Sequence, residues 1–224
     1  MQFIMSQKPT IFYLVRHGET QQNKNNIIQG HLDTDLNETG ISQAQKLAEI
    51  FESIWLDNVY ASDLKRAQQT AVHIVSKKNL PIESHYNLRE IKLGDYEGKS
   101  IEKFHEELGE LLAFRDALPK DERFSHKVKD NIESDEELVI RFNSFFEETK
   151  LETEGKTNLV VTHGAAIRIF LIYLGWATYS ELPHGNVKNT AYVKLEKTED
   201  GFRVVETLGV VKSTDNQASS NHIA

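Results

Sequence analysis

Arg16-His17-Gly18-Glu19-Thr20 follows the apolar run Ile11-Phe12-Tyr13-Leu14-Val15, and Thr162-His163-Gly164 closes Asn158-Leu159-Val160-Val161. A third run, Asn58-Val59-Tyr60-Ala61, ends in Ser62-Asp63-Leu64-Lys65-Arg66. Two imidazoles and two guanidiniums thus stand at or near the ends of short apolar segments. If these segments are neighbouring strands, the four side chains converge on one pocket. That set suits a phosphoryl group. Guanidinium forks match phosphate oxygens with paired, charge-assisted hydrogen bonds. Backbone amides where helices begin add further donors. A neutral imidazole nitrogen can attack phosphorus and form a phosphohistidine. Gly18 and Gly164 remove side chains where the backbone must come close to a ligand.

Each apolar run reads as a buried strand, and each leads into a helical pattern. Ile41, Ala44, Leu47, Ala48 and Phe51 recur at helical spacing, with Asn37 or Thr39 as cap. Leu64 to Val75 continues the second unit. Ser134 and Glu137 have capping-box spacing ahead of Leu138, Phe142, Phe145 and Phe146, an apolar stripe that reads as core. Ala165 to Leu174 follows the third strand, and Gly175 stops it. Strands alternating with helices predict an α/β fold, a three-layer α/β/α sandwich around a mainly parallel sheet. Ligands in such sheets bind beyond the carboxyl ends of the strands, where the four side chains stand. Residues 189–196 and 202–208 predict a late strand pair. Thr198-Glu199-Asp200-Gly201 joins them, a hairpin signal with Asp-Gly at its centre. Residues 99–130 are charged and helical, broken at Pro119, and predict a small helical cap over the sheet edge. One domain is expected over 9–211, followed by a disordered tail over 212–224, rich in Ser, Asn, Gln and Asp.

Lys plus Arg is 26 and Asp plus Glu is 34, a net charge of −8. That balance argues against non-specific binding to nucleic acid or anionic lipid. It leaves room for a small anionic substrate, because a few arginines in one cleft set the local field. The absence of cysteine excludes disulfides, thiol nucleophiles and Cys-based metal sites. A 39% hydrophobic fraction with 27% charged residues is that of a globular domain. No apolar stretch approaches the roughly 20 residues that span a bilayer. Met1 to Met5 lacks the basic region of a signal peptide, and Met5 could be an alternative start. A cytoplasmic protein is expected, and a monomer and a homodimer fit equally well. The other seven histidines, His31, His73, His85, His105, His126, His184 and His222, read as ordinary surface or core residues.

Leu14-Val15-Arg16-His17-Gly18-Glu19-Thr20, with Asn23 behind it, resembles the signature of the histidine phosphatase superfamily, also called phosphoglycerate mutase-like. The resemblance continues through Gln29-Gly30, Asp33, Leu36, Gly40 and Gln43-Ala44. It includes Ser62 to Ala67 with Thr70-Ala71, then Leu88-Arg89-Glu90 with Gly94 to Gly98. It closes on Glu133-Ser134 and Thr162-His163-Gly164. The blocks stand in order over most of residues 10–208. By this resemblance, His17 is the nucleophile that becomes phosphorylated, and Arg16, Arg66 and His163 complete the phosphate pocket. Glu90 is the implied proton donor to the leaving oxygen, with Glu19 and Glu97 as substitutes. Gly18, Thr20, Asn23, Gln29, Gly30, Ser62 and Gly164 are the implied substrate-binding residues. Ser62 reads equally well as a helix cap. Arg168 reads as structural, and Asp135-Glu136-Glu137 as a solvated helix start. Neither a metal nor a cofactor is implied.

Mutases of this superfamily resemble one another after the acid, in a Tyr-Gly-x-Leu-Gln-Gly-x-Asn-Lys block and a later Pro-rich stretch. This chain has Leu93-Gly94-Asp95-Tyr96-Glu97-Gly98-Lys99-Ser100 instead, and only Pro119 between Pro81 and Pro183. Those substitutions look like the bacterial broad-specificity phosphatases. A metal-independent phosphomonoesterase acting on small phosphorylated metabolites is therefore the leading expectation, with mutase activity second. A non-catalytic phospholigand-binding module would have lost the nucleophile, the acid or an arginine, and none is lost. A His-based metal hydrolase lacks its ligand spacing, and the arginines would repel a cation. Specificity is expected in residues 99–130 and 178–187.

Overall fold

The computed structural model describes residues 8–213. Its strands are β1 (Ile11–Arg16), β2 (Asn58–Ser62), β3 (Glu83–His85), β4 (Thr157–Thr162), β5 (Val187–Thr198) and β6 (Gly201–Val210). They form one sheet in the order β3-β2-β4-β1-β5-β6. β1, β2, β3 and β4 pair in parallel. β5 runs antiparallel to β1, and β6 antiparallel to β5. The register sets Arg16 opposite Thr162, so β1 and β4 end together and deliver His17 and His163 side by side.

The helices are α1 (Gln21–Lys24), α2 (Glu38–Glu52), α3 (Lys65–Ile74), α4 (Ile101–Ala117), α5 (Lys120–Ser125), α6 (Asp135–Glu148), α7 (Lys150–Thr153) and α8 (Gly164–Tyr173). Successive strand residues point to opposite faces. Phe12, Leu14, Tyr60 and Val160 pack with Phe142, Phe145 and Phe146 of α6 and Phe170 of α8. Tyr13, Val15, Val59, Ala61, Leu159 and Val161 pack on the other face with Leu47 and Phe51 of α2 and Ala67 and Ala71 of α3. Two apolar layers on one sheet make the three-layer sandwich. Burying each of these large side chains stabilises the fold by roughly 1.5–3 kcal/mol. Ser134 and Glu137 close a capping box on α6, as their spacing predicts. Asn37, not Thr39, caps α2, because its side chain accepts from the Gly40 amide.

Three features differ from the expectation. β3 is an edge strand of three residues with no apolar alternation to reveal it. The β5–β6 hairpin pairs Thr198 with Gly201, so Glu199-Asp200 forms the turn and Gly201 belongs to the strand. The expected tail from 212 begins two residues inside the described chain. There Ser213 donates its amide to the Glu181 carbonyl at 2.8 Å, and the Lys212 ammonium reaches the Trp176 carbonyl. Residues 214–224, and the start at 1–7, lie outside the described residues. The expected cap is present as α4 and α5, with a small core of Ile28, Tyr96, Leu108, Val128 and Ile132. Among the described residues no helix is long and apolar enough to cross a membrane.

Candidate active site

His17 leaves β1 and is 2% exposed. Its backbone is held from both sides. Its amide donates to the Thr162 carbonyl at 3.0 Å. Its carbonyl accepts from the Thr190 amide at 3.3 Å and from Asn189 Nδ2 at 3.1 Å. Both donors sit where the β5 register shifts, between Val187 and Tyr192. Thr190 has φ +56°, a left-handed conformation that costs a β-branched residue about 1–3 kcal/mol. The bulge that turns these two donors toward His17 carries that strain.

The His17 ring is held in one tautomer. Nδ1 lies 2.7 Å from the Gly18 carbonyl, which can only accept, so Nδ1 carries the proton and Nε2 the lone pair. Burial, then the charges of Arg66 and Arg16, lower its pKa well below the usual imidazole value. The ring is therefore neutral at pH 7. Its centroid is 5.2 Å from that of His163, edge to face.

His163 is fully buried, and the opposite tautomer is fixed there. Arg66 Nε donates to its Nδ1 at 3.2 Å, so the proton is on Nε2. Among the described residues His163 Nε2 has no hydrogen-bond partner, and neither has the buried Nε of Arg16. Two buried N–H donors beside His17 thus await an acceptor. An unmet buried donor costs about 1–3 kcal/mol, a cost that a bound anion removes.

Arg66, in the first turn of α3, is fully buried and binds loop carbonyls rather than a carboxylate. Nη1 donates to Leu32 O at 2.6 Å and Nη2 to Gly30 O at 2.8 Å. Burial lowers its pKa to about 10, so it remains a cation. Arg16 Nη1 donates to Val187 O at 2.6 Å. Burial lowers its pKa too, opposed by the charge of Glu90. Glu90 likewise opposes the effect of burial on Arg66, which places its carboxylate near both guanidiniums. Glu90 Oε1 accepts from the amides of Ile91 and Ala166, each at 3.0 Å, and Oε2 from Ala165 at 3.2 Å. The start of α8 therefore fixes Glu90 beside His163. Glu19 accepts from Asn37, and Glu97 from the Leu93 amide, so both alternatives for the acid are engaged elsewhere.

Arg16, His17, Arg66, Glu90 and His163 with Gly164 come together. The remaining expected residues act at one remove. Thr20 links Asn23 and Gln29, its hydroxyl reaching Asn23 Oδ1 and Gln29 Oε1 at 3.0 Å each. Gly30 contributes its carbonyl to Arg66. Ser62 is not the cap of α3. Leu64 holds that position without a side-chain bond, and Ser62 Oγ accepts the Leu64 amide at a long 3.4 Å. The space at Gly18 is taken by protein: a Cβ there would lie 2.5 Å from the Gly40 carbonyl oxygen. At Gly164 a Cβ would press on Arg16 Nε at 3.0 Å. The two glycines therefore admit Gly40 and the Arg16 side chain, rather than a ligand.

Thr70 and Arg141 also contribute, and neither is given a role by the sequence. Thr70 Oγ1 accepts the Gly18 amide at 3.0 Å and donates to Arg66 O at 2.7 Å, tying the two segments together. Arg141 pairs with both oxygens of Glu133 and donates to the carbonyls of Asn87, Arg89 and Glu90. His31 Nε2 also meets Glu90 O, at 2.8 Å. The acid's loop is thus tied to α6. Only its place within the Thr70-Ala71 block hinted at Thr70. Arg141 reads as a polar helix residue until its carbonyl partners are seen.

A buried, neutral histidine beside two arginines and a second histidine, at the carboxyl edge of a mostly parallel sheet, marks a site in an α/β protein that suits an anion. The chain belongs to the histidine phosphatase superfamily, branch 1, whose family model matches residues 12–208. It is 30% identical to a probable phosphatase of Schizosaccharomyces pombe over 95% of this chain and 99% of that one. It is 31% identical to a probable phosphoglycerate mutase of an Enterobacter species, over 92% and 95%. Among solved structures it resembles a mycobacterial glucosyl-3-phosphoglycerate phosphatase, with TM-score 0.74 and 25% identity over 88% and 98%.

Proposed function

We propose that this protein hydrolyses phosphomonoesters of small metabolites through a phosphohistidine at His17, without a metal ion. The observation that carries this reading is the neutral His17 ring, its Nε2 lone pair uncommitted, beside two buried donors that lack acceptors. Arg16, Arg66 and His163 supply the neutralising charge and hydrogen bonds that metal ions provide in other phosphatases. Nε2 attacks phosphorus, the P–N bond forms and the P–O ester bond breaks. The departing alkoxide takes a proton from Glu90, since an alkoxide leaves poorly without one. Oε2, with its single longer bond to Ala165, is the oxygen best placed to carry that proton. Water then attacks phosphorus and gives its proton to Glu90. The P–N bond breaks, phosphate leaves and neutral His17 returns. Nδ1 keeps its proton throughout.

The similarity to both phosphatases and mutases supports this chemistry. Mutase activity is the second reading, favoured by the mutase relative, and differs in passing the phosphoryl group to a hydroxyl instead of water. Phosphate release from a panel of phosphorylated metabolites, run beside a coupled assay for 3-phosphoglycerate isomerisation, separates the two. Release with no isomerisation is expected. Chelator should leave the rate unchanged and vanadate should inhibit. Loss of activity on chelation, restored by Mg²⁺, would overturn the metal-free mechanism.

A further inference from the structure

Glu90 lies in a stretch, Arg89 to Leu93, that belongs to no helix or strand. Backbone groups in such a stretch need partners from elsewhere. Side chains from two distant segments supply them. The Glu90 carbonyl accepts from Arg141 Nη2 of α6 and from His31 Nε2, each at 2.8 Å. Both of its lone pairs are thereby used. A carbonyl can only accept, so His31 carries its proton on Nε2.

Arg141 commits every donor it has to this region. Nε and Nη2 donate to the two oxygens of Glu133, at 2.6 and 2.9 Å. Nη1 donates to Asn87 O at 3.0 Å and to Arg89 O at 2.7 Å, and the second Nη2 hydrogen serves Glu90 O. None of the five N–H groups of the guanidinium is left for a ligand. Glu133 closes the clamp. Its Oε2 accepts the Lys92 amide at 3.0 Å, and its own amide donates to Lys92 O at 2.9 Å. Thr162, the residue before His163, adds its hydroxyl to Leu88 O at 2.7 Å. His31 comes from the other side. It stands between Gly30 and Leu32, whose carbonyls hold Arg66. The loop that grips the Arg66 guanidinium therefore also grips the backbone of the acid.

We propose that His31 and Arg141 are positioning residues for the reaction, and that together they hold Glu90 where the departing oxygen needs its proton. The inference rests on the phosphomonoesterase reading above. Neither side chain takes part in making or breaking a bond. Each acts through the Glu90 carbonyl, and a displaced backbone there moves the carboxyl relative to the ester oxygen. Proton transfer is sensitive to such a shift, and about 1 Å costs on the order of 10²-fold.

The test uses the full chain, three substitutions and two substrates. His31→Phe keeps a ring beside Tyr86, whose centre lies 6.0 Å from that of His31, and removes the donor. His31→Gln returns an N–H at similar reach. Arg141→Lys keeps the charge but cannot serve five acceptors. Single-turnover formation of phospho-His17 is followed with an alkyl phosphate and with nitrophenyl phosphate. His31→Phe should slow transfer from the alkyl phosphate by about tenfold, and Arg141→Lys by about 10–100-fold. Nitrophenyl phosphate, which needs little proton donation, should be slowed much less by either. His31→Gln should restore most of the rate. In a Glu90→Gln background neither substitution should slow the reaction further, because the group it positions is gone. Equal slowing of both substrates, no slowing, no rescue by His31→Gln, or effects that add to Glu90→Gln would each overturn the proposal. His31 is only half-buried, so its variants decide the question if Arg141→Lys does not fold. Absence of phosphoryl transfer from either substrate in native protein would sink the phosphomonoesterase reading, and the clamp with it. Leaving-group dependence in Glu90→Gln but not in His31→Phe would leave that reading standing and sink the clamp alone.

Discussion

The strand-end pocket and the helical cap are built in opposite ways. In the pocket, His17, Arg66 and His163 are each 2% exposed or less, and their polar atoms bind loops, strands and helices distant in sequence. In the cap, α4 has 17 residues and buries only Leu108, while Ile101, Leu111 and Phe114 remain exposed. A substitution of Arg66 disturbs several segments together, because its side chain bonds Gly30, Leu32 and His163. A substitution at one of these exposed cap positions disturbs little beyond its own turn. Reaction chemistry is therefore tied to the core of the fold, while the cap can change its lining without endangering the sheet.

The contrast is tested hardest at the nucleophile. His17→Ala should lower turnover of nitrophenyl phosphate by on the order of 10⁴-fold or more and leave the melting temperature nearly intact. Mass spectrometry should find the phosphoryl adduct on His17 in native protein and none in the variant. An adduct on another residue would move the reaction away from β1. Next comes Glu90→Gln, which should slow phosphoryl transfer from alkyl phosphates by ~10²–10⁴-fold. Nitrophenyl phosphate, with a better leaving group, should be slowed much less. Single-turnover formation of phospho-His17 checks this, and equal slowing of both substrates would show that Glu90 does not donate the proton.

Stability should separate the two regions as well. Arg141→Met leaves Glu133 without its cationic partner and the Asn87 and Arg89 carbonyls without that donor, while Glu90 O keeps His31. It should cost about 3 kcal/mol, seen as a lower denaturation midpoint. A smaller effect follows from pH. His17 and His163 have folded pKa values well below the unfolded one, so below about pH 6.5 the unfolded chain binds more protons. Their contribution is fully present above pH 6.5 and is lost as pH falls toward the folded values. The loss should be at most about 1.4 kcal/mol per group per pH unit. Urea melts between pH 7 and 5 should show it, and His163→Asn should flatten the slope. At the cap, Phe114→Ser should change stability by no more than about 0.5 kcal/mol. A large loss there would show that the cap is part of the core.

The main strands and helices were legible because each has one periodicity and one buried face. Val160 with its neighbours Leu159 and Val161 alternates between two cores, and the α6 phenylalanines recur at helical spacing. Arg16, His17 and His163 were legible because they end those strands and Arg66 because it stands just past one, whereas Glu90 was implied by the family resemblance alone. β3 was not, since Glu83-Ser84-His85 is polar and held only by β2 at the sheet edge. The roles of Gly18 and Gly164 were misread because their neighbours, Gly40 and Arg16, come from other segments, and no local pattern encodes such a packing contact. Asn189 and Thr190 were hidden for the same reason: a bulge is a mismatch between two strands, not a property of one.

The position of β1 has a consequence for biosynthesis. It pairs with β4 on one side and β5 on the other, with Arg16 opposite Thr162 and Val15 opposite Tyr192. β1 therefore leaves the ribosome long before either of its partners, which lie 146 or more residues further along the chain. Until then the run Phe12–Val15 lacks its hydrogen-bonding neighbours, and Arg16 and His17 have no pocket. Such non-local pairing slows folding and leaves a nascent chain open to aggregation and chaperone capture. It also makes a truncated translation product inert, because no fragment ending before β4 can assemble the reactive centre.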